Sequence, residues 1–207
     1  MADASDTCTI YYFLTPVSPW THFGHARIRR IAERAGAALL PKPVDFGRVF
    51  AVSGGLPLGQ RAPQRQAYRL QELARWRSFL GIPIHIHPQF FPADATLAMR
   101  AIVAAAPAGT AAQLDLAGAL LKGCWEEQRN VADPATVAAL AEACGLDGAA
   151  LLQAAAAPDA QAACDTCTQE AIDRQVFGAP TYVIGDQLFW GQDRLDFVAR
   201  HLGVSAD

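Results

Sequence analysis

The chain has 207 residues, 52% of them hydrophobic and 18% charged, with a formal net charge of −3. Disorder needs low hydrophobicity and a high net charge, and this chain has neither; its acidic balance also argues against a nucleic-acid partner. No apolar run reaches the ~18 residues that a membrane helix needs, because Pro107 and Gly109 break the longest one, over 101–112.

Residues 9–14 (Thr-Ile-Tyr-Tyr-Phe-Leu) are continuously apolar, β-branched and aromatic, which predicts a buried strand. Thr15-Pro-Val-Ser-Pro19 breaks it. From Trp20 the apolar positions Gly24, Ile28, Ile31 and Ala35 recur at helical spacing, with arginines on the other face, until Gly36 stops the helix. Residues 38–44 read as a second strand, and its prolines place it at an edge. Residues 45–62 read as a loop centred on Ser53-Gly-Gly-Leu-Pro57. A long alanine-rich helical block follows, with helices expected over 63–80, 93–106, 109–127, 134–144, 148–156 and 159–175. Only a short strand signal, over 82–87, interrupts it. Asp133 before Pro134 is a natural N-cap. Residues 181–184 and 187–190 then form a hairpin around Gly185-Asp186, and Gly191-Gln-Asp193 opens a last helix, 194–202.

The order strand-helix-strand, helical block, strand-strand-helix fits one mixed sheet covered by helices. It predicts an α/β protein: a thioredoxin-like domain made of 1–45 and 168–207, with an all-helical insertion over 46–167. The five cysteines (Cys8, Cys124, Cys144, Cys164, Cys167) are odd in number and read as reduced, small hydrophobes. Residues 1–6 are acidic and lack an apolar segment, so no signal peptide is expected and a soluble, cytoplasmic protein is. The basic side chains are 15 Arg against two Lys, a bias that reads as codon composition rather than phosphate binding.

Three segments can carry chemistry. Ser18-Pro19-Trp20-Thr21 sits where the first strand enters the first helix. Ser18 suits an N-cap with Pro19 at the first helical position. The same free amides and positive dipole end can stabilise an anion such as a thiolate. In a thioredoxin-like fold this turn is where redox enzymes carry C-x-x-C. Ser and Thr stand there instead, so this turn cannot exchange disulfides itself. Ala179-Pro180, entering a strand, suggests a cis bond with the Ala179 backbone free to pair with an extended ligand. Trp190-Gly-Gln-Asp193 places a carboxylate at a helix start, either as a cap or to hold a ligand ammonium.

With these motifs in this order, together with Leu73-Ala-Arg-Trp76 and Gly81-Ile-Pro83, nearly the whole chain resembles the 2-hydroxychromene-2-carboxylate isomerases. These are relatives of kappa-class glutathione transferases and DsbA-type oxidoreductases. The resemblance implies glutathione as cofactor and an aromatic carboxylate as substrate, converted by reversible thiolate addition and bond rotation. It implies that Ser18 contacts the glutathione sulfur and that Ala179 and Pro180 align its backbone. Trp190, Gly191, Gln192 and Asp193 would hold its γ-glutamyl end, although the family often has Asn at the position of Gln192. The family's substrate loop often has Asn and Lys; here Gln60 and Arg48 are the nearby polar residues, with Arg48 the candidate for the substrate carboxylate and Phe90 for stacking. Relatives often form homodimers.

Other features read as structural. His85 and His87 alternate along a strand-like stretch without a third ligand, so no metal is expected. His22 and His25 lie one turn apart near the active-site turn, and His22 is a candidate for the pocket wall. Cys164-Asp-Thr-Cys167 lies away from the strand-to-helix turn where a redox pair works. Tyr68, Trp76 and Trp125 read as core or pocket wall. The competing functions are a kappa-type transferase or peroxidase, a non-catalytic thioredoxin-fold binding protein, and an oxidoreductase using Cys164 and Cys167.

Overall fold

The computed structural model describes residues 8–206. The segment on which the signal-peptide expectation rests lies outside the described residues. Thr9–Leu14 forms β1, buried at Ile10, Tyr12, Phe13 and Leu14. It is continuously apolar because it is central: the sheet order is β2-β1-β3-β4. Pro19–Ala35 forms α1, which ends at Gly36 in the left-handed region. Ala38–Pro43 forms β2, parallel to β1. It is an edge strand, where the missing N–H groups of Pro41 and Pro43 are tolerated.

The expected loop over 45–62 contains a helix. Phe46–Ser53 forms α2, capped by the Asp45 carboxylate, which accepts from the Gly47 amide at 2.8 Å. Phe46 and Val49 turn into the core. The helix is eight residues long and holds two valines and a glycine, so neither propensity nor periodicity announces it.

The helical block follows as α3 (Pro63–Leu80), α4 (Thr96–Ala104), α5 (Thr110–Trp125), α6 (Pro134–Ala143), α7 (Gly148–Ala156) and α8 (Pro158–Asp173). Helix α4 starts three residues later than expected, behind a turn in which Asp94, ahead of the N-cap Ala95, accepts from the Thr96 amide at 2.9 Å and from its hydroxyl at 2.7 Å. Residues 82–87 form no strand; they run irregularly, with Ile84 buried in the core. Helix α3 fully buries only Leu73, so most of its surface stands clear of the core.

Thr181–Ile184 (β3) and Gln187–Trp190 (β4) make the expected hairpin. A single 3-10 turn, Gln192–Arg194, leads into α9 (Leu195–His201). Ala179–Pro180 is cis, and so is Phe91–Pro92, for which the sequence offers no comparable signal.

The sheet buries both faces. Ile10, Tyr12 and Leu14 of β1 join Tyr182 and Ile184 of β3 in a core that runs through to Trp125, Leu140 and Leu151 of the helical block. Phe13 and Val183 face the other way, against Val44, Phe46, Val49 and Val176. The result is a thioredoxin-like fold with a four-stranded mixed sheet and a helical insertion. Its pairing sets the site. Phe13 pairs with Thr181, and Thr181 with Trp190. The end of β1, the start of β3 and the end of β4 therefore meet at one edge. Ser18, Ala179–Pro180 and Gly191–Asp193 lie just beyond these three points.

Candidate active site

Ser18 caps α1 as its sequence predicts, with extended backbone (φ −87°, ψ 125°) and its Oγ accepting from the Thr21 amide at 3.2 Å. The His22 amide donates to the Ser18 carbonyl at 3.0 Å. Pro19 has no amide proton, so the Trp20 amide is the donor left over in this turn. Among the described residues the Ser18 hydroxyl proton is likewise not spent on any partner. Ser18 is 9% exposed, and the Thr21 hydroxyl behind it is fully buried without a hydrogen-bond partner among the described residues.

Beside this turn lies a cavity of about 330 Å³. Ala179, Trp190, Gly191, Gln192 and Asp193 line it together with Trp20, Arg61, Arg65, Tyr68, Arg69, Glu72, Trp76 and Arg194. Ser18 itself does not line it. Gly191 has a φ of +103°, which favours glycine, and its amide donates to the Pro180 carbonyl at 2.8 Å, tying these two segments together. A Cβ at Gly178 would collide with the Trp190 indole, so only glycine lets Trp190 lie there. Gln192 is 2% exposed, and its side-chain oxygen accepts from Arg27 at 3.0 Å. That oxygen is already engaged from α1. The Asp193 carboxylate is partly exposed, 3.7 Å from the Arg194 guanidinium.

The candidate substrate residues lie elsewhere. Arg48 on α2 pairs with Asp165 of α8 at 2.7 Å and does not reach the cavity wall. Gln60 is exposed in a 3-10 turn next to the lining residue Arg61, and Phe90 is 38% exposed outside the lining. Tyr68 and Trp76, read from the sequence as core or pocket wall, line the cavity; sequence reasoning missed Arg61, just before α3, and Arg65, Arg69 and Glu72 on α3. On α3, Arg65, Arg69, Glu72 and Trp76 are spaced four, three and four, which is one helical face, a signal hidden by reading the arginine excess as codon composition. The cavity holds four arginines against two acids. Glu72 is engaged by Arg75, which holds its carboxyl below the usual range.

His22 does not line the cavity. Its Nε2 pairs with Glu126 at the end of α5, at 2.8 Å, which joins the helical block to α1; burial lowers its pKa, opposed by Glu126. His25 donates from Nε2 to the Leu114 carbonyl at 3.0 Å, leaving Nδ1 for the Tyr12 hydroxyl at 3.3 Å. Burial, reinforced by Arg29, lowers its pKa to about 4. An unfolded histidine titrates near ~6.5, so this group's stabilising contribution is full above about pH 6.5 and is lost as pH falls through the folded value near 4. The loss is about 3 kcal/mol at ~1.4 kcal/mol per pH unit. Urea unfolding at pH 7.5 and pH 4 is expected to show it, with a flatter pH slope for His25→Asn. An equal slope in the variant would place the acid sensitivity elsewhere.

Cys164 and Cys167 lie within α8. Burial pushes the Cys164 thiol up to about 12 and raises that of Cys167. A redox pair needs the opposite shift. His85 and His87 are exposed, and among the described residues no group of three or more His, Cys, Asp or Glu side chains is placed to hold a metal. No helix among the described residues is long and apolar enough to cross a membrane.

The model of the DSBA-like thioredoxin domain family matches residues 9–203. The chain belongs to that family. This DSBA-like protein is 27% identical over 197 residues to a 2-hydroxychromene-2-carboxylate isomerase of Sphingobium xenophagum, across 95% of this chain and 98% of the relative. It is 26% identical to one from Pseudomonas putida, with 93% of each chain covered. Among solved structures it is similar to a 2-hydroxychromene-2-carboxylate isomerase, with a TM-score of 0.76, 25% identity and 94% of each chain covered. The resemblance read from the motifs therefore holds along the length of the DSBA-like domain.

Proposed function

We propose that the protein is a glutathione-dependent cis–trans isomerase of the 2-hydroxychromene-2-carboxylate isomerase type, acting on a small aromatic carboxylate. The observation that carries this reading is the state of the Ser18 hydroxyl. It accepts from Thr21 and keeps its own proton for an incoming anion, at the positive end of α1. The full-length similarity to proteins of that name supports it.

The donor set suits glutathione. Asp193 offers a carboxylate for the ammonium of its γ-glutamyl end. Gly191 and Ala179 offer backbone groups in the same cavity, and the arginine excess suits its carboxylates. When bound, glutathione would supply a thiolate nucleophile for reversible conjugate addition, the chemistry that a cis–trans isomerisation needs. The chain's part is to favour the thiolate. A free thiol is only a few per cent ionised at neutral pH. The Ser18 hydroxyl and the Trp20 amide lower the thiol pKa by about one to two units, each worth ~1.4 kcal/mol. Trp20 and Trp76 provide flat apolar walls for an aromatic substrate.

Calorimetric titration with reduced glutathione tests the cofactor. Saturable binding is expected, weakened about tenfold by Asp193→Asn, which removes a charge-assisted contact. No binding at millimolar ligand would overturn the reading. With substrate, total thiol is expected to stay constant; its consumption would indicate a transferase instead.

A further inference from the structure

The substrate's carboxylate needs a cation, and the one nominated from the sequence, Arg48, is engaged with Asp165 away from the cavity. Arg69 is different from every other arginine on the cavity wall. Arg194 has Asp193 beside it, and Arg61 donates from Nε to the Leu56 carbonyl at 2.8 Å. Arg65 is exposed. Arg69 is half-buried and has neither a carboxylate partner nor a hydrogen bond among the described residues. Its guanidinium lies over two rings instead, 5.3 Å from the Phe91 centroid and 5.9 Å from that of Trp125.

That setting has a chemical consequence. Aromatic rings take up the faces of a guanidinium and leave its in-plane N–H donors free. A partly desolvated cation without a counter-ion is an incomplete arrangement, and a planar carboxylate is what a guanidinium fork matches. Burial and neighbouring Arg61 lower its pKa to about 10, so it remains cationic at neutral pH. Its position is also apt. The Trp125 indole beneath it donates to the Val17 carbonyl at 3.3 Å, one residue before Ser18. The glutathione-binding candidates Ala179, Trp190, Gly191, Gln192 and Asp193 line the same cavity. Trp20 and Trp76 complete the apolar lining for the remainder of a flat ligand.

We propose that Arg69, seated on Phe91 and Trp125, binds the carboxylate of a planar conjugated substrate and sets the enzyme's preference for carboxylates over neutral analogues. This builds on the isomerase reading and names the substrate-anchoring residue that reading lacks.

The test is equilibrium binding without glutathione, followed by calorimetry and by fluorescence of the cavity tryptophans. The probes are trans-benzylidenepyruvate and its primary amide, which keeps the shape and removes the charge. Wild type is expected to bind the acid at least tenfold more tightly than the amide. Arg69→Met is expected to reduce that preference to twofold or less, with amide affinity nearly unchanged. Arg69→Lys, which keeps the charge and loses the fork, is expected to fall between. Arg48→Met is expected to keep the full preference. No preference in the wild type, an intact preference in Arg69→Met, or its loss in Arg48→Met would each overturn the proposal. If Arg69→Met fails to fold, an Arg69→Lys preference equal to wild type would overturn the fork-specific assignment. Glutathione is titrated separately. Failure to bind it, with the Arg69 result intact, would refute the glutathione reading and leave this one standing; the converse would do the reverse.

Discussion

Replacing Ser18 with alanine is expected to lower kcat/KM for the glutathione-dependent isomerisation about tenfold, in line with the loss of about one pKa unit of thiolate stabilisation. The stability cost is expected to be only about 1 kcal/mol, the usual value of an N-cap. The two effects separate because the hydroxyl does two things. As an acceptor it holds the Thr21 amide at 3.2 Å. As a donor its proton is unspent, and a thiolate is the partner that the helix start favours. Alanine removes both roles. Glycine at Ser18 retains most cap stability, since glycine is a fair N-cap, yet is expected to lose the same activity. The direct readout is the ionisation of bound glutathione, followed by thiolate absorbance across a pH series. Ser18→Ala is expected to raise the midpoint by about one unit. Unchanged ionisation and activity would reduce Ser18 to a cap.

The parts of this site that are legible in the sequence are those encoded locally. The continuous apolar run of 9–14, the Ser18-Pro19 start, the Gly36 stop and the Gly185-Asp186 turn each announce themselves within a few residues, and each is found in place. The cis bond at Ala179–Pro180 is legible for the same reason, as a proline entering a strand. What stays hidden depends on residues distant in the chain. Arg27 reaches the Gln192 side chain across 165 positions, and Glu126 reaches His22 across 104. Nothing near either residue signals the pairing. Arg48 reads as free in a loop; it sits on a short helix facing Asp165. The α3 face carries a periodic signal, but it is polar and lines a cavity. A search for apolar stripes passes over such a face.

Trp125→Ala is expected to destabilise the fold more than any of the other substitutions above, by about 3–5 kcal/mol, the usual range for truncating a fully buried tryptophan. The side chain is 0% exposed and lies in the core shared by the sheet and the helical block. Its ring packs 4.8 Å from that of Phe91, and its indole N–H satisfies the Val17 carbonyl. Truncation thus opens a cavity and leaves that carbonyl without its donor. It also removes part of the shelf under Arg69. Trp125→Phe separates these effects. It keeps most of the volume and loses the N–H, so its cost is expected to be ~1 kcal/mol, that of one part-buried hydrogen bond. Urea unfolding at pH 7.5, above the His25 titration, isolates the packing effect. If the helical block and the sheet share one core, Trp125→Ala unfolds both in a single transition at a lower urea midpoint. Two transitions, or a cost below about 1 kcal/mol, would mean that the block is stable on its own and that the Val17–Ser18 turn does not depend on it.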